Sequence, residues 1–284
     1  MEKMEGQPGF AVEIFKKPLV EAVLKQVALV SGFLWERGWA ERNAGNLSVN
    51  VTGCFDAKEL ALFSACPRFD LSPGYPGLSQ SVFLVSGTGT RMRDMAADPA
   101  GHLCFVCISS QGTSFHLTGF EKDGEPVMPT SELLTHLAVQ ELLIRQGSTE
   151  KTVLHAHVTE LIALTQLARF NSEAAINNLL WGMHPETLLF VPGGVGFVPY
   201  SLAGTGQIAR LTLQSIENHK AVLWEKHGCL AVGNTLHEAF DILDILAKSA
   251  RIYFLCRSAG TEPEGLTAAQ LEEIRNSQLG EPGK

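Results

Sequence analysis

The sequence predicts an α/β protein of three layers, α/β/α, built on a mixed and mostly antiparallel central sheet. Three observations carry this expectation. Strand-like and helix-like runs mix along the 284 residues without the regular strand–helix–strand alternation of a doubly wound parallel sheet. Two short apolar runs, at 221–224 and 229–232, flank Lys226-His227-Gly228 closely enough to form a strand pair. Hydrophobic residues make up 45% and charged residues 18%, with a mean hydropathy of +0.09, a balance that buries a core and excludes a disordered chain. No repeat, low-complexity tract or linker interrupts the chain. One domain over 1–284 is expected, with polar tails at about 1–10 and 261–284.

The elements follow in order. Apolar spacing predicts an amphipathic helix over 18–37, stopped by Gly38. Asn43-Ala44-Gly45-Asn46 reads as a turn, and 47–51 alternates like a strand. Residues 52–81 form an irregular Pro/Gly-rich excursion with a short helix near Ala57. Strands are expected at 82–85, 103–108 and 114–117. Pro129-Thr130-Ser131 introduces a helix over 132–145, closed by Gly147. A strand at 152–158 and a helix at 160–168 come next, then strands at 188–191 and 195–199 and a helix at 205–219. Thr235-Leu236-His237-Glu238 has capping-box spacing and opens a long helix to about Cys256. The polar tail ends in a short helix.

The formal net charge is −8 and the isoelectric point about 5.6. Such a surface repels nucleic acid, yet a local nest of backbone N–H groups can still bind a phosphate. No apolar run is expected to reach the ~18–20 residues that span a bilayer. Residues 1–9 are polar and lack the apolar core of a signal peptide, so a cytoplasmic protein with no membrane partner is expected. Cys104, Cys107, Cys229 and Cys256 sit in apolar stretches, as reduced thiols do. Cys104 and Cys107 stand three apart on a predicted strand and would face opposite sides, which suits two buried thiols better than a redox or metal pair.

The sharpest local feature is Leu154-His155-Ala156-His157. Residues two apart on a strand share a face, so both imidazoles can reach one ion at about 2.0–2.1 Å. The same pattern fits two hydrogen-bonded histidines at a strand end. A third ligand must come from elsewhere. His227 is the best candidate, because it follows an apolar strand and precedes Gly228 at a strand end or tight turn. Three neutral imidazoles leave coordination positions open, as catalysis requires. Glu132 and His136 share a helix face at i, i+4 and form the main rival metal pair. Glu132 falls in the first turn of its helix, where a carboxylate favours the helix dipole; beside a metal it could act as a general base. Ser86-Gly87-Thr88-Gly89-Thr90 follows a strand and suits a phosphate nest. It is not the dinucleotide fingerprint, because Met92 stands where the third glycine belongs.

A longer ordered set of segments carries more than any one of these. It comprises Trp39-Ala40-Glu41-Arg42-Asn43-Ala44-Gly45-Asn46-Leu47, Val85-Ser86-Gly87-Thr88-Gly89, Pro129-Thr130-Ser131-Glu132-Leu133 and Val153-Leu154-His155-Ala156-His157. It continues through Leu161-Ile162-Ala163-Leu164-Thr165, Pro192-Gly193-Gly194-Val195-Gly196, Leu223-Trp224-Glu225-Lys226-His227-Gly228 and Thr235-Leu236-His237-Glu238. From about residue 35 to 260 the chain thereby resembles the class II aldolase/adducin family. Ala44 and Thr88 depart mildly from the pattern it resembles, which has glycine and serine at those places.

The resemblance implies a metal-dependent lyase that cleaves a phosphorylated ketose through a metal-stabilised enediolate, with the rhamnulose-phosphate branch favoured. It implies one Zn2+ per subunit, other divalent ions being possible, held by His155, His157 and His227. Glu132 matches the catalytic acid/base. Asn43, Gly45, Asn46, Thr88, Gly89, Thr130 and Ser131 match phosphate- and substrate-binding positions. Glu186 looks like a second catalytic carboxylate supplied by a neighbouring subunit, which implies a homotetramer with sites at its interfaces. The rival readings are a fuculose-phosphate aldolase, an epimerase or dehydratase on the same scaffold, and an adducin-like interaction module that would need neither the histidines nor Glu132.

Overall fold

The computed structural model describes residues 8–122 and 125–277. Its strands are β1 (Asn46–Asn50), β2 (Arg68–Asp70), β3 (Val82–Ser86), β4 (Leu103–Ile108), β5 (Ser114–Gly119), β6 (Glu121–Lys122), β7 (Glu125–Pro126), β8 (Thr152–Ala156), β9 (Gly196–Val198), β10 (Ala221–Trp224) and β11 (Gly228–Gly233). Nine of them form one sheet in the order β2-β5-β4-β3-β1-β8-β11-β10-β9. Every neighbouring pair runs antiparallel except β9 and β10, so the sheet is mixed and mostly antiparallel, as expected. The helices are α1 (Pro8–Phe15), α2 (Pro18–Glu36), α3 (Ala57–Leu62), α4 (Met92–Ala97), α5 (Leu133–Arg145), α6 (Thr159–Thr165), α7 (Glu173–Met183), α8 (Pro185–Phe190), α9 (Gly206–Ile216), α10 (Leu236–Ser258) and α11 (Ala268–Asn276).

Alternation along the central strands makes the two cores. On β8 and β11, Leu154, Cys229 and Ala231 face the cluster built with α2, α6, α7 and α10. Val153, Leu230 and Val232 face the opposite cluster, built with α5 and α9. A strand buried on both faces reads as a continuous apolar run, which is why 103–108 and 229–232 were legible. Cys104 and Cys107 do lie on opposite faces of β4, Cys107 in the first cluster and Cys104 in a third, with Val85, Val106 and Leu137. Burial pushes the Cys107 thiol up to about 12, which leaves it a packing group.

Several expectations need correction. The run at 188–191 is not a strand: 188–190 belong to α8 and Val191 is its C-cap, and Pro185 occupies the first helical turn after His184. Four apolar residues are too few for periodicity to separate strand from helix, and the proline was the better signal. Helix α7 went unread although Ser172 caps it, accepting from Ala175 N at 3.4 Å. Helix α4 and the short edge strand β2, inside the irregular excursion, also went unread. The box at 235–238 is half formed: Thr235 Oγ1 accepts from Glu238 N at 3.1 Å, whereas the Glu238 carboxylate turns back to Asn234 N at 2.9 Å.

Helix α2 corrects the membrane expectation on length and composition. Its 19 residues, with mean hydropathy 1.3 over an 18-residue window, are long and apolar enough to cross a bilayer. In the fold it is an outer-layer helix. Val20, Val27, Val30 and Leu34 are buried in the core, and each buried side chain contributes roughly 1.5–3 kcal/mol.

Candidate active site

Sheet register brings the three histidines together. In the antiparallel pair β8–β11, His155 stands opposite Leu230 and Ala156 opposite Cys229. Strand β11 begins at Gly228, so His227 lies just before its start, and continuing the register sets Gly228 opposite the residue that follows β8. That residue is His157. It is not on the strand as expected, because β8 ends at Ala156; its N–H donates instead to Trp39 O at 2.9 Å. The ring centroids still lie 5.4 Å apart for His155–His157, 5.0 Å for His155–His227 and 5.1 Å for His157–His227. One nitrogen from each ring lies within 4.8 Å of the other two.

The turn that delivers His227 is specified locally. Lys226 takes a left-handed φ of +59°, and its N–H donates to Thr165 Oγ1 at 2.9 Å. Gly228 must be glycine for space: a Cβ there would sit 2.6 Å from Ala156 O and 2.8 Å from His155 Cε1. Gly45 combines a φ of +80° with a tight but less severe approach, its Cβ position lying 3.2 Å from His155 O.

Hydrogen bonds orient the imidazoles. His155 Nδ1 donates to Cys229 O at 3.1 Å, which leaves Nε2 as a lone pair. That Nε2 is buried and has no hydrogen-bond partner. An unsatisfied buried acceptor costs about 1–3 kcal/mol, which a bound cation would remove. His157 Nδ1 pairs with Glu41 Oε1 at 2.7 Å, the arrangement that holds a ligating imidazole in place. Burial, reinforced by the neighbouring imidazoles, holds His155 well below the usual histidine range and His227 at about 4. Both rings are therefore neutral at pH 7, as metal ligation requires. The donor set fits a divalent cation.

Glu132 completes the constellation. It stands at the N-cap of α5 rather than in the first turn, and its side chain makes no capping bond. Its carboxylate points instead between the rings, with Oε2 4.0 Å from His155 Nε2 and Oε1 4.0 Å from His227 Nε2. Burial raises its pKa, opposed by a hydrogen bond from Asn46 Nδ2 at 3.1 Å and by nearby His157. A carboxylate in that state is suited to taking up and returning a proton. The rival pairing of Glu132 with His136 fails, because both His136 ring nitrogens are engaged, Nε2 with Asn46 Oδ1 at 2.6 Å and Nδ1 with Ser48 Oγ at 2.9 Å.

All of this opens on one cavity of about 350 Å³, lined by Asn43, Gly45, Asn46, Thr88, Gly89, Thr130, Ser131, Glu132 and the three histidines. The structure thus brings together every expected site residue except Glu186. Glu186 lines a different pocket with Trp39, Arg37 and Asp244, and pairs with His184 Nε2 at 3.0 Å. The Gly-rich turn is less open than a nest of free N–H groups, since Gly87 N–H donates to His102 O and Thr88 N–H to Met128 O. Sequence reasoning did not single out Glu41 or Arg42. Arg42 is the one Lys or Arg among the residues lining the cavity, and its left-handed φ of +51° directly before Asn43 had no readable sequence signal.

Comparison with known proteins adds an independent line. The family described as Class II Aldolase and Adducin N-terminal domain matches residues 25–254. The rhamnulose-1-phosphate aldolase of Bacteroides thetaiotaomicron is 36% identical over 271 residues, covering 95% of this chain and 96% of that protein. That of Listeria welshimeri is 34% identical over 239 residues, covering 81% and 82%. A crystal structure of a sugar-phosphate aldolase from Thermotoga maritima superposes with a TM-score of 0.74 at 27% identity, covering 87% of this chain and all of that one.

Proposed function

The chain belongs to the class II aldolase and adducin family, and from that premise we propose that it is a lyase that cleaves L-rhamnulose 1-phosphate, reversibly, to dihydroxyacetone phosphate and L-lactaldehyde. One observation carries the reading: three imidazoles converge beside a buried carboxylate in a single cavity, and one of their nitrogens is buried without a partner. The relatives named rhamnulose-1-phosphate aldolase, at 34–37% identity, favour this ketose over other sugar phosphates.

His155, His157 and His227 would hold the metal, and an all-imidazole donor set favours zinc over the oxygen-seeking Mg2+ or Ca2+. A divalent cation there would supply Lewis acidity to the oxygens of the ketone fragment. The remaining work falls to the chain. Cleavage of C3–C4 removes the proton of the C4 hydroxyl and delivers one to C3. Glu132, buried and raised in pKa, handles the proton at C3. Glu186 of a neighbouring copy serves the C4 hydroxyl, in a homotetramer whose sites lie at subunit interfaces. Asn43, Gly45, Asn46, Thr88, Gly89, Thr130 and Ser131 position the phosphate and sugar oxygens, so binding energy remote from the bond orients it for cleavage.

The test is product analysis with zinc-loaded protein and L-rhamnulose 1-phosphate, fuculose 1-phosphate and ribulose 5-phosphate in parallel. Dihydroxyacetone phosphate with lactaldehyde, formed fastest from the first, is expected. An isomeric sugar phosphate with no triose phosphate would make the protein an epimerase instead.

A further inference from the structure

Behind the cavity, buried polar side chains form one continuous line from Gln140 to Glu132. Gln140 Nε2 contacts both Lys151 O at 3.1 Å and Ser48 Oγ at 3.2 Å. Ser48 Oγ lies 2.9 Å from His136 Nδ1, and His136 Nε2 lies 2.6 Å from Asn46 Oδ1. Asn46 Nδ2 then reaches Glu132 Oε2 at 3.1 Å. Ser48, His136 and Gln140 are each 1% exposed or less. None of the three lines the cavity.

The direction of each bond is dictated by the two ends. The Lys151 carbonyl can only accept, so Gln140 turns its amide N–H groups towards it and Ser48. An ionised Glu132 can only accept, so Asn46 turns its N–H towards it and its carbonyl towards His136. His136 must then donate from Nε2, and its bare Nδ1 accepts the Ser48 hydroxyl proton. Apart from the Gln140 bond to Lys151 O, every donor along the line points towards Glu132.

We propose that His136 is a positioning residue: held as the Nε2–H tautomer by Ser48, it locks the Asn46 amide with its N–H on Glu132 Oε2, reserving that oxygen as an acceptor and leaving Oε1 to carry the catalytic proton. The lock matters most when Glu132 is protonated. Without the His136 donor, an Asn amide can rotate and present its carbonyl. A protonated Glu132 would then turn its proton into that carbonyl, away from substrate. The inference rests on Glu132 as the proton-handling group, and its first test does not depend on turnover.

Histidine tautomers are read directly from long-range 1H–15N correlations on the metal-loaded full chain with labelled histidine. The Nε2–H form is expected at His136; the Nδ1–H form there overturns the proposal. Kinetics gives the second test. His136→Leu should lower kcat roughly ten- to a hundredfold with KM and metal content little changed, and His136→Gln, which keeps an N–H in the same place, should restore most of it. Equal losses in both variants, or KM rising in step with the fall in kcat, overturn the positioning role. Should His136→Leu fail to fold, Ser48→Ala removes the group that sets the tautomer and should lower kcat while shifting the His136 signals towards the Nδ1–H form. A wild-type protein inactive on every ketose phosphate, with the expected tautomer present, would defeat the assigned activity and leave the hydrogen-bond direction standing.

Discussion

At the residue scale, chemistry separates the groups proposed to hold the cation from the group proposed to move the proton. Glu132→Gln keeps the shape and the Asn46 contact but cannot take up a proton, so it should bind stoichiometric metal and lose about 10²- to 10⁴-fold in turnover. His155→Ala removes the unpartnered nitrogen itself and should lose metal and activity together; elemental analysis beside kinetics reads both. Acid should act through His136. Burial holds its folded-state pKa at about 3, below the 6.5 of an unfolded histidine. The unfolded chain therefore takes the proton first, so this contribution to stability is complete above about pH 6.5 and shrinks as pH falls towards 3. About 2 kcal/mol of it should be gone by pH 5, and His136→Gln should show a shallower fall in thermal midpoint between pH 7 and 5. The imidazole pair at 155 and 157 was legible because a spacing of two at a strand end carries its own geometry, even though His157 falls just past β8. The role of His136 was not, because its partners Ser48 and Asn46 lie 88 and 90 residues away, on a strand whose register only the folded sheet shows.

At the element scale, the site depends on how closely two strands approach. The pair β8–β11 carries His155 and launches the turn to His227, and Gly228 is where the backbones meet. Gly228→Ala must push Ala156 O or the His155 ring aside, since the nearest atoms lie at 2.6 and 2.8 Å and one of them is backbone. The core strands on either side are apolar and fully buried, so the chain should still fold. The cost should fall on the ligand geometry, as a drop in metal affinity of about tenfold or more by competitive chelator titration. Wild-type affinity in this variant would mean that the turn relaxes without moving the rings. The strands that build the site were readable because burial on both faces makes them unbroken apolar runs. Helices α7 and α8 were not, because their start signals, Ser172 and Pro185, precede runs too mixed or too short to show a period.

At the scale of the whole molecule, the separation of Glu186 from the cavity is informative. Its carboxylate is half exposed, beside His184, and the pocket it lines also holds Phe190 and Leu255, which are 54% and 62% exposed. Apolar side chains exposed around a carboxylate are what a contact between copies would cover. If Glu186 serves the neighbour's site, each active site needs Glu132 from one chain and Glu186 from another. Glu132→Gln and Glu186→Gln proteins, each with little activity alone, should then complement when co-expressed in equal amounts. Random assembly leaves both carboxylates intact in about a quarter of the sites, so about a quarter of wild-type turnover should return. A carboxylate acting within its own chain gives no recovery, because no chain then carries both groups. Undiminished activity in Glu186→Gln alone would remove this residue from the reaction. The three outcomes are distinct in a single assay, and each assigns Glu186 differently: to a shared site, to its own chain, or to the surface that pairs it with His184.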